Sequence, residues 1–379
     1  MWVSVLKGLD PWIRVDNKAG ASLIMALRVI YSIYWYYLAP ALPYMEHALN
    51  IPEAQLGLIP LAFLLGAGIM QIPSGVLANR IGNVNAAILG LLLLSISGIG
   101  VSLSANLAEV MVFRVIGGVG AALFFSTAAT VLTSLYPGHV GLMLGIYNAS
   151  FGIGAGLGLV SGILYSAVGW RIGILALSII GVAASLSSYY VLRGFNRPID
   201  ASIEINPPAI YVGLATAGFW GSYYALGNLL PTYASARGVS VVSSSLVTSI
   251  LLFSSAIGGA SAGIVDRVRR IRLLILALVA SMSVMYLAAL TVNPLLVAVS
   301  ASVIGFSFEL AITASYVLVV KGANPTMALA TVNSIDMLLG MSLSPAFTIL
   351  MAKYPSYLPL VMAASSMAPL ALIFAKVGE

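Results

Sequence analysis

Apolar runs long enough to cross a lipid bilayer follow one another along almost the whole chain, separated only by short polar turns. A spanning helix needs about 20 predominantly apolar residues. Within lipid, only helices and closed barrels satisfy every backbone polar group internally. Runs of this length select helices. Twelve spans can be placed, at roughly 20–44, 54–78, 83–104, 107–134, 140–166, 171–192, 208–233, 242–264, 271–291, 295–320, 327–351 and 357–376. The chain therefore reads as an all-α membrane protein of twelve transmembrane helices. Only 7% of its residues are charged, against about 25% in soluble domains, which excludes a soluble fold. Pro and Gly inside the spans are tolerated because neighbouring helices re-satisfy the backbone groups they free.

A net charge of +6 raises the question of nucleic acid, but in a membrane protein a basic excess sets topology. With both termini cytoplasmic, twelve of the 17 Lys and Arg fall inside the cell. Three, Arg171, Arg237 and Lys353, fall outside, and Arg28 and Arg114 lie within spans. That bias favours cytoplasmic termini and an even number of spans, in a cytoplasmic membrane. Residues 1–19 read as a cytoplasmic segment lacking an apolar signal-peptide core, so no cleavable leader is expected. There is no cysteine, and the two histidines, His47 and His139, fall in predicted loops. No metal site and no cofactor are expected.

The longest polar connection, residues 193–207, divides the spans six and six. Pro43 and Pro231 sit at matching places, 188 residues apart, as do Asn148 and Asn333, 185 apart. The turn Gln71–Gly82 is answered about 187 residues on by Gly258–Arg270, each with an Asn/Asp-Arg pair after a small-residue-rich helix end. The expected organisation is a duplicated six-helix unit: segment 1–19, bundle 20–192, linker 193–207 and bundle 208–379, giving two pseudo-symmetric six-helix bundles.

At these residues the chain resembles the major facilitator superfamily of transporters. Between spans 2 and 3 the family carries G-x-L-a-D-R-x-G; here Gly75, Leu77, Arg80 and Gly82 match, while Asn79 replaces the Asp. In span 4 the family pattern R-x-x-x-G-x-G-A-A is met by Arg114, Gly118, Gly120, Ala121 and Ala122. Span 5 is Gly-rich and is followed by Gly169-Trp170-Arg171, while the Gly-Pro signature of family antiporters is absent, Leu159 following Gly158. The resemblance implies a central cavity lined chiefly by spans 1, 4, 7 and 10, and alternating access as two bundles rock about it. It assigns Gly75, Asn79, Arg80, Gly82, Asp266 and Arg267 to gating turns. Asn79 cannot supply the latch charge that Asp266 retains in the second copy, so a weaker first latch is expected.

Four ionisable residues lie well inside spans, and intramembrane charges are costly enough to be functional candidates by default. Glu309 sits near the middle of span 10, where desolvation disfavours the carboxylate. That environment suits reversible protonation; the alternative is a permanently neutral Glu bonded to a carbonyl. Asp336 is similarly deep, for proton coupling or for an interhelical bond, and shares a helix face with Asn333. Arg28 lies a turn and a half inside span 1, to hold an anion or to snorkel toward headgroups. Arg114 is the arginine that the family associates with proton coupling. Spans 1 and 7 are rich in aromatics. Tyr31, Trp35, Tyr36, Trp220 and Tyr224, with Asn228, are the expected binding residues for a small organic solute, unless they merely pack the two helices together, and Arg28 and Asn333 are expected to join them.

The glycines of Gly152–Gly158 lack the Lys-Ser/Thr of a phosphate loop and follow no strand, so close helix packing explains them. With no nucleotide site, the expected function is secondary active transport of a small organic solute, coupled to protons, by a chain acting as a monomer among membrane lipids. Two arginines favour an organic anion; aromatics with carboxylates favour efflux of lipophilic compounds. The rivals are a membrane enzyme, for which clustered catalytic groups are missing, and a receptor or scaffold on the same fold.

Overall fold

A computed structural model describes residues 17–136, 139–196, 207–261, 264–265, 268, 270–319 and 325–373. The first half runs α1 (Asn17–Tyr36), α2 (Leu42–Ala48), α3 (Leu58–Ile81), α4 (Asn83–Leu103), α5 (Leu107–Leu135), α6 (Val140–Val160), α7 (Gly162–Val168) and α8 (Trp170–Leu192). The second runs α9 (Pro207–Ser235), α10 (Val241–Ala260), α11 (Ile271–Ala289), α12 (Pro294–Val317), α13 (Pro325–Gly340), α14 (Leu343–Lys353) and α15 (Leu358–Ser366), with a 3-10 turn at Ala368–Ile373. Four helical passages are interrupted: α1 gives way to turns before α2, where Pro40 denies the helix a backbone donor, α6–α7 and α13–α14 break briefly, and α15 turns at Met367 before the 3-10 segment. The interrupted pieces fall along the apolar runs of the sequence. The chain is a multi-pass membrane protein.

Among the described residues, nine helices are long and apolar enough to cross a membrane by length and composition alone. α1 and α9 are not among them. Both carry Tyr, Trp, Ser and Gly where a lipid-facing helix would carry Leu and Ile, and most of these residues are buried. Helices enclosed by other helices need not be lipophilic all round.

Packing repeats between the halves. α3 packs on α5 as α10 packs on α12; α4 on α8 as α11 on α15; and α1 on α6 as α9 on α13. Across the interface α6 meets α10 and α13 meets α3, again reciprocally. Small residues permit the close approaches. A Cβ on Gly118 of α5 would strike the Phe63 carbonyl of α3, and one on Gly305 of α12 the Leu251 carbonyl of α10. These glycines stand 187 residues apart, the offset of the two turns, so one crossing geometry is used twice.

The turn between α3 and α4 is tied to the end of the first half. Gly82 has φ 88° and ψ 154°, a region essentially reserved for glycine, and a Cβ there would collide with the Asn196 side chain. Asn196 Oδ1 accepts from the Val84 and Asn85 amides (3.0 and 3.3 Å), while its Nδ2 donates to the Ile81 carbonyl (3.1 Å). One side chain thus caps the start of α4 and the end of α3. Gly82→Ala is expected to destabilise the fold by about 1–3 kcal/mol, read as a lower apparent Tm in detergent. Gly75→Ala, where a Cβ meets nothing within 4 Å, should leave Tm unchanged. An unshifted Gly82→Ala protein would show that the turn relaxes without cost.

Candidate functional site

The two halves enclose a cavity with about 730 Å³ of empty space, open solvent included. From α1 it is lined by Arg28, Tyr31, Trp35 and Tyr36, the first three spaced to form one helical stripe. From α9 come Trp220 and Tyr223; from α12, Phe308, Glu309 and Tyr316; from α13, Asn333 and Met337. α5 and α6 add Phe125, Asn148 and Phe151.

Arg28 is 2% exposed, and four rings surround its guanidinium. Tyr147 stands 4.2 Å away, Tyr31 4.7, Phe151 4.9 and Phe125 5.1 Å, from guanidinium carbon to ring centroid. Cation–π attraction holds the charge in place, but Nε and Nη1 remain buried without a hydrogen-bond partner. Across the cavity, Glu309 is partly exposed to the opening, and its Oε2 accepts from Ser255 Oγ of α10 at 2.8 Å. Its stem lies against glycines, since a Cβ on Gly258 would come within 3.1 Å of the Glu309 Cβ. Tyr316 donates to Asn333 Oδ1 at 2.7 Å, joining α12 to α13 beside this carboxyl.

Toward the end of the molecule opposite the chain termini, aromatic rings close the cavity. Trp35 meets Trp220 at 6.4 Å and Tyr224 at 6.0 Å, and Tyr36 meets Tyr224 at 5.9 Å. Beyond this floor the halves are tied at the far end, where Thr348 Oγ1 donates to the Ala54 carbonyl (3.0 Å) and accepts from the Gly57 amide (3.3 Å). At mid-depth Ser334 Oγ donates to the Gly68 carbonyl (2.9 Å). Nearer the termini, a Cβ on Gly75 or Gly145 would meet nothing within 4 Å. The cavity opens on the termini side.

The cavity thus gathers Arg28, Tyr31, Trp35, Tyr36, Trp220, Asn333 and Glu309. Four other expected residues stand outside its wall. Tyr224 is part of the floor, and Asn228 Nδ2 donates to the Tyr224 carbonyl within α9 (3.1 Å). Asp336, fully buried behind the cavity, accepts from Thr216 Oγ1 at 2.7 Å through Oδ1, while Oδ2 has no partner. Arg114, 1% exposed, donates to the Tyr34 carbonyl (3.3 Å) and lies over the Phe63 ring (4.2 Å). Of the gating turns, Gly75 and Gly82 are placed as above, Asn79 is half-buried and engaged, and Arg80 is exposed. Asp266 and Arg267 lie outside the described residues.

Sequence reasoning missed the cage around Arg28. Phe125 and Tyr147 carry no motif, although Asn148, noted as the repeat counterpart of Asn333, shares the cavity with it. That internal match was the available signal.

The sequence profile of the Major Facilitator Superfamily matches residues 24–335. The chain belongs to this superfamily. A superfamily structure, a bacterial homolog to the human lysosomal transporter Spinster in an inward-facing and occupied conformation, superposes with TM-score 0.72 at 17% identity, covering 93% of this chain and 94% of that one. Its inward-facing and unoccupied form superposes with TM-score 0.70 at 16% identity, over 94% and 95%. The chain is 29% identical over 160 residues to the multidrug efflux protein YfmO of Bacillus subtilis, which is 42% of this chain and 40% of that protein. To the quinolone resistance protein NorA of Staphylococcus aureus it is 31% identical over 124 residues, or 31% and 32% of the two chains. The chain thus spans well under half the length of the curated relatives it matches.

Proposed function

We propose that the protein is a proton-coupled secondary active transporter of a small organic solute, working as a monomer in the cytoplasmic membrane with both termini in the cytoplasm. One observation carries the reading: a cavity between two related halves, open to one side, holding a single carboxyl, Glu309, opposite an arginine without a carboxylate partner. While the cavity is open, Glu309 exchanges its proton with the aqueous phase. Once the halves close around it, an ionised carboxylate supported by one serine hydroxyl is costly. Closure therefore favours the protonated group, or one compensated by solute. Asp336, held by Thr216 away from the cavity, and Arg114 adjust the balance from behind.

The test is uptake into proteoliposomes, with and without an imposed pH gradient, of compounds that raise the protein's thermal stability; a compound that binds only the folded protein raises Tm. Gradient-dependent accumulation is expected. Accumulation indifferent to the gradient would overturn proton coupling. A second reading, export of lipophilic compounds in exchange for protons, draws on the names of the two efflux and resistance relatives and on the aromatic walls. It predicts extrusion of such compounds against a gradient.

A further inference from the structure

Two features of the cavity region are unexplained by a carboxyl-based proton cycle. The first is that both intramembrane arginines are buried with guanidinium nitrogens left unpaired. Arg28 has two guanidinium nitrogens without partners and Arg114 has one; rings and a carbonyl surround them, not carboxylates. With Glu309 protonated, the ionisable side chains lining the cavity carry one positive charge, that of Arg28. A buried cation of this kind has not yet met its counter-charge.

The second feature is a set of orphaned polar atoms in the closed far half. Tyr37 and Tyr224 hydroxyls and those of Thr232, Ser245 and Ser344 are buried with no hydrogen-bond partner. Buried polar groups are normally paired, so these exceptions call for a state in which water or solute reaches them. Arg114 belongs to this region. Its guanidinium carbon stands 5.9 Å from the centroid of the Tyr37 ring.

The arginines are also related in position. They stand 86 residues apart in α1 and α5, and the glycine turns Gly82 and Gly169, with nearly identical backbone angles, stand 87 apart. Such spacing is that of inverted three-helix repeats within a half, which run their helices in opposite directions. Because Arg114 bonds at the level of Tyr34, six residues beyond Arg28, it lies about 9 Å farther toward the far side at helical rise. The Phe63 ring packs under the Arg114 guanidinium and edge-on to Trp35, 4.9 Å away.

We infer that the solute carries an oxyanion, such as a carboxylate on an aromatic or apolar body, which Arg28 holds while the termini side is open and Arg114 receives when the far side opens. This rests on the transporter reading above. The four rings about Arg28 supply a slot for a planar body, and its free N–H groups supply the charge-assisted contact. Rocking of the halves draws apart the aromatic floor and exposes Arg114. The anion then has a partner on each side of the barrier, and neither arginine is left bare throughout the cycle.

The experiment compares three probes of one shape, 2-naphthoate, 2-naphthamide and 2-naphthylmethylammonium, by calorimetry on the purified full-length protein. Exchange of labelled 2-naphthoate in proteoliposomes follows. Naphthoate should bind at least ~10-fold tighter than the amide, the ratio expected for a charge-assisted hydrogen bond. Arg28→Gln should erase that preference and Arg28→Lys restore part of it, which separates loss of charge from loss of fold. Arg114→Gln should keep equilibrium affinity within ~3-fold yet slow exchange by ~10-fold or more, for the same lost contact. Equal or tighter binding of the amide or the ammonium, or a preference surviving in Arg28→Gln, overturns the anion. Wild-type exchange by Arg114→Gln overturns the second station. No binding by any probe, with gradient-driven uptake intact in the test above, overturns the solute class alone; loss of both overturns the transporter reading as well.

Discussion

Glu309→Gln is expected to bind solute and lose concentrative transport. Glutamine keeps the shape of the protonated acid and keeps an oxygen to accept from Ser255 Oγ, so the packing of α12 on α10 should survive with little change in Tm. What it removes is the exchangeable proton. If one proton moves per solute, a gradient of one pH unit supports ~10-fold accumulation, since one unit is worth about 1.4 kcal/mol. The variant should fall to a ratio of ~1, the value without a gradient, while still equilibrating solute across the bilayer. Glu309→Ala is the harsher control, because it also strands Ser255 beside a void. Proteoliposomes loaded at one pH and diluted into another give the readout directly. Full accumulation by Glu309→Gln would remove this carboxyl from the mechanism and turn attention to Asp336, which has an unpartnered oxygen of its own.

How much of this was legible before the coordinates differs between the fold and the site. The all-helical membrane class and the superfamily follow from long-wavelength signals: apolar runs, charge bias and four motifs in order. The cavity-lining role of α1 could be read from aromatics too central for an interfacial belt, and Arg28, Tyr31 and Trp35 do share a stripe. Three things were not legible. The cage around Arg28 draws Phe125 from α5 and Tyr147 from α6, and contacts between helices leave no periodicity in either one. Asn228 looks like a binding residue by depth alone, but its rotation about α9 points its amide at the Tyr224 carbonyl. Asn196 sits in a connection read as a bare linker, yet it caps two helix ends by way of a glycine whose positive φ no pattern announces. In each case depth along a helix is encoded by composition, whereas azimuth is decided by the neighbours.

Locking the far side should abolish turnover while sparing binding. The only hydrogen bonds joining the halves at that end, among the described residues, converge on Thr348, which meets Ala54 and Gly57 of the opposite half. The chain has no cysteine of its own, so Ala54→Cys/Thr348→Cys offers a unique pair for a short thiol-reactive cross-linker. Bridged, the two halves cannot separate there, and Arg114 and the hydroxyls beneath the aromatic floor never meet solvent. The cavity on the termini side is untouched, and Arg28 and Glu309 stay accessible. Solute affinity should therefore be unchanged, while both accumulation and exchange stop and return on cleavage of a reducible linker. Each cysteine alone, treated with the same reagent, controls for the loss of the Thr348 hydrogen bonds, which are worth about 1 kcal/mol apiece and should not stop transport. A fully cross-linked protein that still exchanges solute would place the moving barrier elsewhere, because a path through the far end cannot open while Thr348 is held to the loop before α3.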